Sequence, residues 1–200
     1  MEHEHKTAFE PVHAPPGPDP VVLVLASGRG ERFRASGGLT HKLRADLGGR
    51  TVLQRTLDAV RASGLAWHLE DGGHPGMGDS IAAAVRATAQ APGWLILPGD
   101  LPLVRPESLQ RVAEALSRWS VVLPRHAGEK GHPVGFAAVC REGLLALSGD
   151  VGAASVLRQW QGLGQALMLD LDDAGIVTDI DTLDDLARAA RAVRASHPWP

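Results

Sequence analysis

Gly28 and Gly30 stand on either side of Arg29, and Arg32, Arg34 and Lys42 fall in the twelve residues that follow Gly30. Glycine lets the main chain approach a bulky anion with no Cβ in the way. Cations in the same stretch neutralise charge, so the chemistry on offer is phosphate binding. Asp100 and Asp181 supply hard oxygen donors of the kind Mg²⁺ takes. Asp79, Ser80 and His132 are further polar groups at the starts of elements.

Those side chains need a scaffold. Val21-Val22-Leu23-Val24-Leu25 is apolar at consecutive positions, as a parallel strand buried on both faces requires, and it stops at the glycine loop. Thr51 and Gln54 have the spacing of a capping box, so a helix begins there, with Leu53, Leu57 and Val60 on its apolar face and Gly64 at its end. Residues 65–69 form a short strand and 70–78 a glycine-rich loop. Asp79 caps a second helix over 80–90, with Ile81, Val85 and Thr88 along one side. Residues 94–98 are another buried strand, ending at Gly99-Asp100. Pro106 suits the first turn of a third helix carrying Leu109, Val112 and Leu116. Residues 121–123 and 134–139 read as strands on either side of a polar loop, 124–133. A helix over 153–160 follows, then strands over 166–171 and 176–180 around the turn at Asp172 and Asp173. Thr182 caps a last helix, 183–195. Cys140, Trp94, Trp119 and Trp160 are expected in the core.

Strands alternating with helices give an α/β fold, a mostly parallel sheet with helices on both faces. Ligands in such sheets sit beyond the carboxyl ends of the strands. The polar clusters at 28–42, Asp100 and Asp181 all fall at strand ends, which makes them one site.

Known phosphate motifs narrow the reading. Phe33 stands where a dinucleotide fingerprint has its third glycine, and no acidic residue closes a second strand for a ribose. His41-Lys42-Leu43 lacks the glycine and the hydroxyl of a P-loop. The length, 200 residues with 44% hydrophobic, suits one domain with a sizeable core. A net charge of −3 argues against a general nucleic-acid or acidic-membrane surface. A single cysteine excludes an internal disulfide and a multi-cysteine metal site, and fits a reducing, cytoplasmic setting. The apolar runs are too short to span a bilayer. Residues 1–19 read as a flexible proline-containing leader, 20–195 as the domain and 196–200 as a tail.

Leu25-Ala26-Ser27-Gly28-Arg29-Gly30-Glu31-Arg32 with the later Lys42 resembles the signature of the MobA-like nucleotidyltransferases. Gly76-Met77-Gly78-Asp79-Ser80-Ile81 resembles the second nucleotide loop of that family, and Leu97-Pro98-Gly99-Asp100-Leu101-Pro102 its metal-binding strand end. Gly131-His132-Pro133-Val134-Gly135-Phe136 and Gly149-Asp150-Val151-Gly152-Ala153 resemble segments of the molybdenum cofactor cytidylyltransferase (MocA-like) branch. Asp179-Ile180-Asp181-Thr182 closes the likeness, which runs over about 21–190.

The resemblance implies a three-layer α/β/α Rossmann-like fold of the nucleotide-diphospho-sugar transferase type, here trimmed at the edge near residues 65–69. It implies Mg²⁺-dependent transfer of CMP from CTP to a phosphate of molybdopterin-bound molybdenum, with release of pyrophosphate. On that reading Ala26, Ser27, Gly28, Arg29, Gly30, Arg32, Lys42, Gly78, Asp79 and Ser80 bind the nucleotide. Arg32, Lys42 and Asp100 are catalytic, Asp100 and Asp181 hold the metal, and His132 and Asp150 lie on the acceptor side. Asp181 also reads as a cap of the last helix. The implied partners are CTP or another NTP, a molybdopterin-type acceptor and a client molybdoenzyme, without nucleic acid or membrane. Ser27 replaces the family's alanine or glycine where the base is read, and Lys42 lies ten residues after Arg32, a longer spacing than is usual. GTP as donor, a sugar-phosphate or phospho-acid acceptor, and a non-catalytic cofactor chaperone are the competing readings.

Overall fold

In the computed structural model, residues 19–28 and 30–196 are described. The leader (but for Asp19), Arg29 and all but the first residue of the tail lie outside them. The described strands form a seven-stranded sheet. β1 (Val21–Leu25) lies between β2 (Trp67–Glu70) and β3 (Gly93–Pro98), parallel to both. β4 (Val121–His126) is parallel to β7 (Ala166–Asp170) and pairs at its far end with the two-residue β5 (Glu129–Lys130). β6 (Val134–Ala137) is inserted antiparallel between β3 and β4. β2 is a four-residue edge strand, the trimmed edge expected near 65–69.

Alternation along the central strands builds the two helical layers. Val22, Val24, Leu95 and Leu97 point to the face covered by α2 (Val52–Ala62) and α4 (Pro106–Ala115), meeting Leu57, Val60, Leu109 and Val112. Leu23, Trp94 and Ile96 point to the other face, under α3 (Met77–Ala87), α5 (Arg141–Leu145) and α6 (Ala154–Gly162). A third apolar cluster sits beside the site. Phe33 of α1 (Glu31–Ala35), Leu43, Leu47, Val52, Ile180 and Ala189 of α7 (Leu183–Ser196) meet there. The local signals hold where they are chemical. Thr51 and Gln54 close their capping box, Pro106 opens α4, and Thr182 accepts from the Asp185 N–H while Asp185 accepts from the Thr182 N–H. Trp94 and Cys140 are buried, and Trp119 and Trp160 pack partly buried against the two helical-layer clusters.

Four expectations change. α3 starts at Met77 with Gly76 as N-cap, so Asp79 is a first-turn residue and not the cap. A Cβ on Gly76 would lie 2.1 Å from the Gly149 carbonyl, so the crossing of these chains fixes the helix start. Residues 124–133 are the end of β4 and a hairpin to β5, not one loop. The strand expected at 134–139 ends at Ala137 and gives way to a 3-10 turn and α5. The strand expected at 176–180 is absent; Ala174–Val177 is a 3-10 turn. Asp173 dictates that turn, since its buried carboxylate accepts from the Gly175 N–H, the Arg105 N–H and the Ser108 hydroxyl. Ile176 and Ile180 are still core residues, reached through turns instead of a ladder. No helix among the described residues is long and apolar enough to cross a membrane.

A Cβ on Gly175 would lie 2.0 Å from the Leu103 carbonyl oxygen. Gly175→Ala is therefore expected to destabilise the protein by about 1–3 kcal/mol, the usual range for overpacking. Urea denaturation reads this as a lower midpoint at unchanged slope.

Candidate active site

The carboxyl ends of β1 and β3 open into one cleft of about 710 Å³, within the usual size of a small-molecule site. β1 delivers the Ser27–Gly30 loop, β3 delivers Asp100, and the turn before α7 delivers Asp179 and Asp181. Lys42 folds back across the long loop from Arg32 and joins them. Its ammonium lies 2.6 Å from Asp100 Oδ2 and 2.9 Å from Asp181 Oδ1. All three side chains are largely buried, at 13–15% exposed. Arg32, mostly exposed, closes on the other Asp181 oxygen at 2.7 Å. Such an exposed partner contributes little to stability.

The charges shape one another. Burial opposes the Lys42 ammonium, but Asp100 and Asp181 outweigh it and hold its pKa above the usual lysine value. Burial likewise works against the Asp181 carboxylate, and the hydrogen bond and charge of Lys42 overcome it, keeping its pKa low. Asp179 goes the other way, raised by burial and by its hydrogen-bonded neighbour Asp181. Asp100 Oδ1 is enclosed and has no hydrogen-bond partner. An orphaned hard oxygen on a carboxylate that lines the cleft fits a divalent cation. Among the described residues no group of three or more His, Cys, Asp and Glu side chains forms a metal cage by itself. A cation there would complete its shell with phosphate oxygens and water, as Mg²⁺ commonly does.

The other expected residues divide. Ser27, Gly28, Gly30, Arg32, Lys42, Ser80, Asp100, His132, Asp150 and Asp181 line the cleft. Ala26 stands behind it, its N–H donated to the Glu70 carbonyl at 2.8 Å. Gly78 and Asp79 face the 148–152 loop, away from the lining: the Gly78 N–H donates to the Gly149 carbonyl, and the Asp79 carboxylate accepts from the Gly149 N–H. Ser27 Oγ lies 2.9 Å from Ser80 Oγ, tying the first loop to α3. His132 is enclosed, and burial lowers its pKa against the opposing pull of the Ile96 main chain and Asp100. Its Nδ1 has no partner.

Residues not assigned from sequence complete the site. His41 accepts from the Leu43 N–H at Nδ1, so Nε2 carries the proton and donates it to the Gly28 carbonyl at 2.6 Å. One imidazole thus ties the glycine loop to the turn that carries Lys42. Its position beside Lys42 was the only sequence signal. Glu70 buttresses the same loop from β2. Burial would raise its carboxyl, but bonds from the Gly72 N–H, His68 and His74 hold it below the ordinary value. His74 lines the cleft.

The profile of the MobA-like NTP transferase domain matches residues 58–165, over half of the chain. This chain belongs to the MobA-like NTP transferase family. The matched span contains Asp100, His132 and Asp150, while the glycine loop, Lys42 and Asp181 lie outside it. The purine catabolism protein PucB of Bacillus subtilis is 30% identical over 63% of this chain. The match spans 62% of PucB, less than two thirds of its length. A manganese complex of Rv0371c from Mycobacterium tuberculosis superposes with a TM-score of 0.65 at 22% identity, covering 87% of this chain and 99% of that one. The molybdopterin-guanine dinucleotide biosynthesis protein A of Archaeoglobus fulgidus does so with 0.64 at 18% identity, covering 88% and 99%. At these identities the two likenesses show a shared fold, the mostly parallel α/β sheet described above.

Replacing His41 by Ala unties the loop. The expected result is a higher nucleotide KM with the acceptor KM unchanged, and a stability loss of about 1 kcal/mol for the bonds removed. His132 sets a pH dependence in metal-free buffer. Its folded pKa is depressed below 6.5, so its contribution is present above that value and lost as pH falls through it. Urea midpoints should decline on acidification from pH 6.5, and His132→Asn should flatten that part of the profile.

Proposed function

We propose that this protein transfers CMP from CTP to a phosphate of a molybdopterin-type acceptor and releases pyrophosphate. The observation that carries the reading is the meeting of Lys42, Asp100 and Asp181 under the glycine loop, in a cleft also lined by Arg32. Nucleotidyl transfer asks for little covalent help. An acceptor phosphate is already ionised and its oxygen attacks the α-phosphorus as the bond to the β-phosphate oxygen breaks. The protein must align the two and offset charge.

The residues divide that work. The main chain at Ser27, Gly28 and Gly30 borders the triphosphate, with Arg32 and Lys42 offsetting charge on the phosphates and on departing pyrophosphate. Arg29 joins this set on the strength of the motif alone. Asp100 and Asp181 would hold the divalent cation, Mg²⁺ in this reading, and it would supply Lewis-acid charge at the phosphates. The manganese in Rv0371c supports a divalent cation in this fold. Ser27 and Ser80 border the base and ribose, with Ala26, Gly78 and Asp79 supporting them from behind. His132, neutral and with a free Nδ1, and Asp150 border the acceptor. No general base is needed from His132. The cytidylyl assignment is supported by the segments at 131–136 and 149–153, both of which reach the cleft. A molybdopterin acceptor is supported by the fold shared with the Archaeoglobus protein. A molybdoenzyme client would take the product.

Pyrophosphate release with molybdenum-loaded molybdopterin tests the reading. Asp100→Asn should slow it by on the order of 100-fold or more, the scale of losing one charge-stabilising group. Unchanged turnover would remove Asp100 from the chemistry. Comparing CTP, GTP, UTP and ATP settles the donor, and a preference for GTP would overturn the cytidylyl assignment.

A further inference from the structure

We propose that Lys42 is a built-in competitor for the cation position, holding Asp100 and Asp181 together in the nucleotide-free protein and leaving when a cation arrives with nucleotide. The inference rests on the reading of Asp100 and Asp181 as the cation-binding pair.

The geometry is that of a stand-in ion. One ammonium sits between two buried carboxylates, 2.6 Å from one and 2.9 Å from the other. Two ionised carboxylates this enclosed repel each other strongly, and the ammonium between them offsets that repulsion. Lys42 meets the need incompletely. It brings one positive charge to the pair, with Asp179 adding a third carboxyl alongside Asp181. It bonds one oxygen of each aspartate, and Asp100 Oδ1 is left without a partner. Arg32 takes the last Asp181 oxygen from the solvent side. A divalent ion brings twice the charge and can approach oxygen at about 2.0–2.1 Å, closer than an ammonium can.

What opposes the exchange is the fate of Lys42. Displaced alone, the ammonium loses both carboxylates and gains only water. Displaced in the presence of a triphosphate, it gains phosphate oxygens in the same cleft. Cation and nucleotide therefore favour each other's binding, and by linkage each raises the affinity for the other by the same factor. The protein holds a weak cation site until substrate arrives. Its third cluster favours this arrangement: Leu43, next to Lys42, is buried against Phe33 and Ile180, so the main chain stays fixed while the side chain moves.

Mn²⁺ binding, followed by the loss of the free-ion electron paramagnetic signal, separates the cases. In nucleotide-free protein, Lys42→Met should bind Mn²⁺ about tenfold or more tightly than the natural chain, within the usual range of a coupling between sites. CTP should then tighten Mn²⁺ binding strongly in the natural chain and weakly in the variant. Arg32→Met, which removes the outer cation, should tighten Mn²⁺ binding less than Lys42→Met does. Equal Mn²⁺ affinities for Lys42→Met and the natural chain, or an equal gain from Arg32→Met, would overturn the proposal. If Lys42→Met is unfolded by circular dichroism, Lys42→Gln gives the same comparison with a polar, uncharged side chain. Asp100→Asn distinguishes the two levels. If it binds Mn²⁺ with CTP as well as the natural chain does, the cation-pair reading itself fails. If it loses Mn²⁺ while Lys42→Met binds no tighter, only the competition by Lys42 fails.

Discussion

Two buried carboxylates in one cleft repel each other unless a cation or a shared proton lies between them, and here the ammonium of Lys42 lies between Asp100 and Asp181. Asp100 comes from the end of β3, Asp181 from the turn before α7, and Lys42 from the 3-10 turn after α1. Burial makes each charge expensive alone and the set coherent. Removing Lys42 would leave two buried carboxylates uncompensated, so this ammonium holds the carboxyl edge of the sheet together. The third apolar cluster is the means. Leu43, next to Lys42, and Ile180, next to Asp181, are both buried in it, so packing brings the charged neighbours within bonding distance.

The fold was legible wherever a residue's chemistry acts locally. The apolar run of β1, the Thr51–Gln54 box, Pro106 and Thr182 each state their role within a few residues, and each holds. It was illegible where a distant chain decides. Asp79 reads as an N-cap until the 148–152 loop crosses at Gly76 and takes its carboxylate for the Gly149 N–H. Residues 176–180 read as a strand because Ile176 and Ile180 are apolar, yet the buried carboxylate of Asp173 winds the first of them into a turn. A parallel strand and a buried turn need the same residue types, and only the long-range bonds of Asp173 to Arg105 and Ser108 tell them apart.

The site divides in the same way. Asp100 was readable because an α/β sheet puts its ligands at strand ends, whereas Asp181, expected at a strand end as well, comes from a turn. Asp100, Lys42 and Asp181 do meet, although the nine residues between Arg32 and Lys42 gave no measure of how Lys42 returns. His41 was unreadable because its function is to bond two main-chain groups, Gly28 and Leu43. The Gly28 carbonyl lies thirteen residues away, so no local spacing announces the bond. Glu70 is similar: its carboxylate gathers His68, His74 and the Gly72 N–H, while its own carbonyl holds Ala26.

The lengthened loop and Ser27 then make sense together. A longer path from Arg32 to Lys42 demands a tether, and His41 supplies it at the carbonyl of Gly28, one residue beyond Ser27. Ser27 in turn bonds Ser80 of α3, and Gly78 and Asp79 of the same helix bond the loop that carries Asp150. A continuous chain of short contacts therefore runs from the lysine turn, through the glycine loop, to the 148–152 loop. Departures from the family pattern at Ser27 and in the loop are two ends of one bonded network. The placement of Lys42 and the setting of Ser27 therefore rest on the same bonds, those of His41 to Gly28 and of Ser27 to Ser80.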